Sequence, residues 1–129
     1  MLTPNSYAVG KWIAPADTAP AIIGPVTNTP IARAGGASLD FAAMLHHAKT
    51  RGGPALREMT FHQRAKMLKA LAGYLDSRKE ELYALNPLTG ATRKDGWVDI
   101  DGGIGTMGLF ASKGRREMPD GHVYVDGNL

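Results

Sequence analysis

One run of residues has the types and the spacing to do chemistry. Gly103-Ile104-Gly105-Thr106-Met107-Gly108 fits G-x-G-x-x-G, the dinucleotide-binding fingerprint, in which glycines allow a tight turn and let a pyrophosphate approach a helix N-terminus. The flanks offer the remaining parts: Trp97 to Ile100 as leading strand, Leu109 to Arg116 as helix, His122 to Val125 as second strand, and Asp126 for a ribose hydroxyl. Against this stand Asp99 and Asp101, whose charge just ahead of the loop opposes a pyrophosphate, and Gly114, which interrupts the helix. Too little chain follows Asp126 for the rest of a parallel sheet. The second reading of the same glycines is close packing within a helical layer.

Other reactive residue types are sparse. The sequence has no cysteine, which removes a disulfide scaffold, a thiolate metal site and a cysteine nucleophile from these residues. His46 and His47 are adjacent, so on a helix they point about 100° apart and do not face one metal. They read as surface histidines. Arg64 falls near the middle of an apolar stripe, where a charge needs a partner or a path to water. Asp99 and Asp101 are the expected partners, with a snorkelling arginine as the alternative.

These residues need elements to position them, and the stretch with the clearest period is Thr60 to Leu85. Wound at about 100° per residue, it places Phe61, Met67, Leu68, Leu71, Ala72, Leu75, Leu82 and Leu85 on one side. His62, Lys66, Lys69, Asp76, Ser77, Glu80 and Glu81 fall opposite. Thr60 with Gln63 predicts a capping-box start, and Asn86-Pro87 a stop, since proline disfavours helical backbone in the residue before it. Asp40 predicts the cap of a shorter helix with Phe41, Met44, Leu45 and Ala48 on one face, ended by Gly52-Gly53-Pro54. A single turn over Ala55 to Met59 then leads into the long helix.

Before Asp40 the chain is of another kind. Ser6 to Ile13 is short, aromatic and β-branched with a central glycine, which predicts a strand or a bent hairpin arm. Ala14 to Gly36 is rich in Pro, Ala, Thr and Gly, with apolar pieces at Ile22-Ile23 and Ile31-Ala32, and predicts extended chain with one or two edge strands. So little side-chain volume does not fold alone; such an arm is laid across a larger structure. After Pro87 two periods compete. Val98 and Ile100 alternate with Asp99 and Asp101 as in a strand, while Trp97, Ile100, Ile104, Met107 and Ala111 lie on one helical stripe.

The composition is that of an ordinary globular chain, 43% hydrophobic and 21% charged, which excludes disorder as a class. The net charge of +3 arises from 15 basic and 12 acidic residues interspersed along the chain, so neither nucleic acid nor an anionic membrane is an expected partner. The N-terminal residues lack a charged leader with an apolar core, and no apolar run approaches the ~18 residues of a membrane span. A cytoplasmic protein is expected.

Longer blocks carry a resemblance. Asp40-Phe41-Ala42-Ala43-Met44, Gly53-Pro54-Ala55-Leu56-Arg57, Met59-Thr60-Phe61, Arg64-Ala65 and Met67-Leu68-Lys69-Ala70-Leu71 resemble the N-terminal quarter of the aldehyde dehydrogenases of aerobic aromatic degradation. So do Lys79-Glu80-Glu81-Leu82-Tyr83, Thr89-Gly90-Ala91-Thr92-Arg93, Trp97-Val98-Asp99-Ile100, Gly102 to Thr106, Gly114 to Glu117 and Pro119-Asp120. The likeness runs over residues 6–126. It is nearest to the semialdehyde dehydrogenases of the phenylacetate route, in which this unit is fused to an enoyl-CoA hydratase-like domain, with the dehydroadipyl-CoA semialdehyde dehydrogenases of the benzoate route as cousins.

The resemblance implies an α/β parent fold of which this chain is the N-terminal part, mostly helical with an extended β arm. Its divisions would be an arm over 1–37, a helical layer of the cofactor-binding domain over 38–116, and the start of a strand over 117–129. Arg93 to Gly114 is then mainly helical, and the glycine fingerprint is a coincidence. The implied reaction is NAD(P)-linked oxidation of a CoA-linked semialdehyde by a cysteine nucleophile, with an asparagine at the oxyanion and a glutamate that activates water. In the family those residues lie beyond this stretch, so the resemblance assigns no catalytic, cofactor-binding or metal residue here. The expected partners are the rest of the dehydrogenase subunit and further copies in an oligomer. Two other classes stand beside it: a small dinucleotide module on Gly103, Gly105, Gly108 and Asp126, and a non-catalytic protein that docks through the apolar face of its long helix.

Overall fold

The computed structural model describes residues 1–126. Two small antiparallel hairpins precede a helical half. In the first hairpin, β1 (Ser6–Ala8) pairs with β2 (Lys11–Ile13), setting Tyr7 opposite Trp12. Val9 and Gly10 both have positive φ, 51° and 80°, the geometry of a two-residue type I′ turn. Tyr7 and Trp12 meet edge to face with ring centroids 5.1 Å apart, and both remain exposed.

In the second hairpin, β3 (Ala21–Ile23) pairs with β4 (Pro30–Arg33), with an irregularity at Ile22/Ile23. Leu2 adds a parallel bridge to Ala32. Arg33 closes the loop below by donating from Nη1 to the carbonyls of Asp17 and Ala19, at 2.9 and 2.6 Å. The expected arm strands at Ile22-Ile23 and Ile31-Ala32 therefore form. The arm rests on the helical half, where the Gly90 backbone lies so near Pro25 that an added Cβ would stand 3.2 Å from the proline ring.

The helical half opens with α1 (Phe41–His47), capped by Asp40, whose Oδ1 accepts from the Ala43 amide at 2.9 Å. Gly52-Gly53-Pro54 does not end it. The chain winds on through a π turn over Ala48–Gly52, in which the Gly53 amide bonds the Ala48 carbonyl, into α2 (Gly53–Glu58), with Pro54 in its first turn. The helical path breaks only at Met59, which is extended.

α3 (Phe61–Ser77) begins at Thr60 with both halves of the expected capping box: Gln63 N donates to Thr60 Oγ1, and Thr60 N to Gln63 Oε1. The expected single helix to Leu85 is not formed. Arg78 leaves helical geometry at φ −116°, ψ 11°, beside a Ser77 hydroxyl that donates back to the Tyr74 carbonyl at 2.7 Å. Serine back-bonding of this kind bends helices. The chain resumes as α4 (Lys79–Tyr83), and Asn86-Pro87, expected to stop a helix, instead starts α5 (Asn86–Thr89). Gly90 ends α5 in the left-handed region at φ 77°.

From Thr92, which makes a second capping box with Asp95, the backbone is continuously helical. α6 (Arg93–Gly96) runs through a π turn over Trp97–Asp101 into α7 (Gly102–Arg116). The helical period thus prevails over the alternation at Val98 and Ile100. Among the described residues His122 to Val125 form no strand, and Val123, Tyr124 and Val125 are exposed without a neighbouring strand to pair with. The end of the expected strand, at residues 127–129, lies outside the described residues.

α3 packs along α7, and the seam is built of small residues. Ala65, Ala72 and Ala111 are buried there, Ala111 to 2% exposure, and a Cβ on Gly114 would lie 3.1 Å from that of Ala65. The apolar stripe expected on the long helix is split by this arrangement. Leu68 and Leu75 are partly covered, while Met67 and Leu71, at 49% and 48% exposure, look outward with Tyr74. Leu109, Phe110, Trp97 and Val98 are likewise exposed. The helices close on alanine and glycine, and many of their large apolar side chains are left outside.

Candidate functional site

The glycine fingerprint lies inside a helix. Gly103, Gly105 and Gly108 all belong to α7, and the segment ahead of them, Trp97–Asp101, is helical rather than a strand. The strand–turn–helix that would cradle a pyrophosphate is absent among the described residues. The amides it would need are already engaged, since Gly102 N donates to carbonyls of the preceding turn, Asp99 and Trp97. Asp126 lies in irregular, exposed chain past α7. The residues therefore do not fit a dinucleotide at this motif. Packing accounts for Gly114 against Ala65, but a Cβ at Gly102, Gly103, Gly105 or Gly108 would meet nothing within 4 Å.

Asp101 has a different task from the one expected of it. Lys79 Nζ donates to its Oδ1 at 3.2 Å, and the Tyr83 hydroxyl donates to its Oδ2. Lys79 also pairs with Asp76 at 3.2 Å. Arg93 stands over the Tyr83 ring at 4.5 Å and reaches Glu80 at 3.1 Å. The Tyr83 hydrogen bond, followed by that of Lys79, holds the Asp101 carboxyl below its ordinary range, while the Asp101 bond raises both Tyr83 and Lys79. This is a chain of charge-assisted bonds tying α4 to the entrance of α7. Lys79, Tyr83 and Asp101 are bonded to one another, which suits a brace rather than a group poised to react.

Arg64 does not meet Asp99 or Asp101. Its Nε donates to the Met59 carbonyl at 3.2 Å and its guanidinium lies 5.1 Å over the Phe61 ring. The carboxylates are out of its reach because Asp101 is held by residues beyond the break at Arg78. His46 and His47 sit in the last turn of α1. The other two histidines bind the chain's last described segment. His62 Nε2 donates to Met118 O at 2.9 Å and His122 Nδ1 to Arg57 O at 3.0 Å. Thr60 Oγ1 donates to Asp120 at 2.8 Å in the same clasp.

Linear order does not show which cations gather in space. Lys69 from α3 joins Arg115 and Arg116 from the last turn of α7 around one cavity. The signal in the sequence was the i, i+3, i+4, i+7 set Gly108, Ala111, Ser112 and Arg115, legible only once α3 is known to lie beside that face.

Residues 12–126 match the model of the aldehyde dehydrogenase family. Over 125 residues the chain is 34% identical to a 3,4-dehydroadipyl-CoA semialdehyde dehydrogenase of Aromatoleum evansii, an alignment that covers 96% of this chain and 24% of that protein. The chain spans about a quarter of the length of this relative. Among the described residues no helix is long and apolar enough to cross a membrane. A family match over most of its length and an identity this high over nearly all of it place the chain in the aldehyde dehydrogenase family.

Proposed function

We propose that this chain is the N-terminal arm and helical layer of an NAD(P)-dependent aldehyde dehydrogenase that oxidises a CoA-linked semialdehyde in aromatic-compound degradation, by the benzoate or the phenylacetate route. It is not catalytic by itself. The observation that carries the reading is the alignment with the Aromatoleum enzyme over 96% of the chain at 34% identity. Two features support it: the absence of cysteine from all 129 residues, and large apolar side chains left outside the helical layer. Exposed patches of this kind mark surfaces that another part of a protein covers. The partners are the remainder of a dehydrogenase subunit and, through it, further copies in an oligomer, within an α/β parent fold.

The test is a hybrid enzyme in which this chain replaces the matched quarter of the Aromatoleum dehydrogenase. NAD(P) reduction with a CoA-linked semialdehyde is then measured for the hybrid and for the chain alone. The hybrid is expected to turn over and the chain alone to be silent. A folded hybrid that ignores CoA-linked semialdehydes, or turnover by the chain alone, contradicts the reading.

A further inference from the structure

Lys69 on α3 and Gly108, Ala111, Ser112, Arg115 and Arg116 on α7 line a cavity of about 350 Å³. Gly108, Ala111, Ser112 and Arg115 share one helix face, so a single element supplies the floor. That floor is open at Gly108 and polar at Ser112, with Ala111 buried beneath it, and three cations line it. No carboxylate lines it. Among the described residues the ion pairs leave out Lys69, Arg115 and Arg116, whereas Lys113 in the same turn is paired with Glu117 at 3.4 Å. A Cβ at Gly108 would meet no atom within 4 Å, so the floor stands open at that position.

Three unneutralised cations around an open floor suit a ligand with several negative charges and a flat apolar body. The volume falls within the usual range for ligand pockets, roughly 300–1,000 Å³. Arginine offers phosphate a planar, bidentate fork, and lysine a movable point charge. We propose that this cavity is a subsite for an adenosine phosphate, the nucleotide end of a coenzyme A thioester. The proposal rests on the reading of the parent enzyme as one that acts on CoA-linked aldehydes, and it places one end of that substrate on this chain. The purine lies against the open α7 face at Gly108, and the phosphates meet Lys69, Arg115 and Arg116.

The test is calorimetric titration of the 129-residue chain with coenzyme A and with four controls: dephospho-coenzyme A, NAD, pantetheine and inorganic phosphate. Coenzyme A is expected to saturate one site, with dephospho-coenzyme A and NAD about tenfold or more weaker for want of the 3′-phosphate, and pantetheine and inorganic phosphate silent. Gly108→Leu, which projects into the cavity from a position where a Cβ is unopposed, should abolish binding. Arg115→Gln should weaken it by about tenfold, the loss of one charge-assisted pair. NAD binding as tight as coenzyme A would give the subsite to the cofactor and overturn the assignment. Coenzyme A binding that survives Gly108→Leu would overturn the cavity. Where the isolated chain gives no helical circular dichroism signal, the same titrations and variants are run on the hybrid enzyme, and coenzyme A binding unchanged there by Gly108→Leu and Arg115→Gln overturns the cavity. No aldehyde is present in these titrations, so an active hybrid enzyme beside a chain blind to coenzyme A sinks the subsite alone.

Discussion

The Tyr83 hydroxyl donates to the Asp101 carboxylate, and this bond joins α4 to the turn from which α7 departs. Lys79 supports it from the same helix. Asp101 is held below its ordinary range, so its contribution is present above the unfolded aspartate value of ~3.9 and fades as pH falls through the lower folded value. Tyr83 and Lys79 are raised, so theirs are present below the unfolded values of ~10 and ~10.4 and are lost as pH rises through the folded ones. Thermal melts across pH should show a plateau between these limits. In Tyr83→Phe stability is expected to fall across the plateau and the alkaline loss to become smaller, while an unchanged profile would mean the bond is not made in solution.

Gly105 and Gly114 should answer substitution in opposite ways. Gly105→Ala meets nothing within 4 Å and is expected to stabilise the chain by up to about 1 kcal/mol. Gly114→Leu must push α7 away from Ala65 and is expected to destabilise by about 1–3 kcal/mol. Urea unfolding of the two variants measures both; destabilisation by Gly105→Ala would show that its face is occupied after all.

Thr60 starts α3 and also holds Asp120. Thr60→Ala is expected to cost about 1 kcal/mol through the lost cap, and amide exchange should quicken at Gln63 and across the segment that follows α7. A loss confined to α3 would show that the clasp to Asp120 carries nothing.

Met67 and Leu71 bear on the unpartnered face. Leu71→Lys is expected to change stability by no more than about 0.5 kcal/mol, as an exposed position does, and to reduce self-association in light scattering. A larger loss would place Leu71 in a core.

Much of this was legible in the sequence, and for stated reasons. Side chains that bond within three residues, as Asp40 to Ala43 and Thr60 to Gln63 do, mark helix starts locally. The central glycine of Ser6 to Ile13 and the apolar pieces at Ile22-Ile23 and Ile31-Ala32 marked the arm by residue type. The break at Arg78 was not legible, since no glycine or proline announces it; it depends on the Ser77 back-bond and on Tyr83 reaching Asp101. Asp101 was expected to serve Arg64 because both were charged and near apolar stripes, but once α3 ends at Ser77 its neighbours are Lys79 and Tyr83. The cluster of Lys69, Arg115 and Arg116 was hidden for a similar reason. Its members are far apart in sequence and meet only through the packing of α3 on α7, which small residues permit.

The most direct measurement is a thermal melt of the 129-residue chain with and without millimolar NAD. A folded binder held at a hundred times its dissociation constant gains about 2.7 kcal/mol, which is several degrees for a domain of this size. With Gly103, Gly105 and Gly108 inside α7 and the Gly102 amide already bonded, the predicted result is a response to NAD that Gly105→Ala leaves unaltered. An upward shift that Gly105→Ala abolishes would show that the glycines cradle a dinucleotide, and would contradict the account of this chain as the helical layer of an aldehyde dehydrogenase.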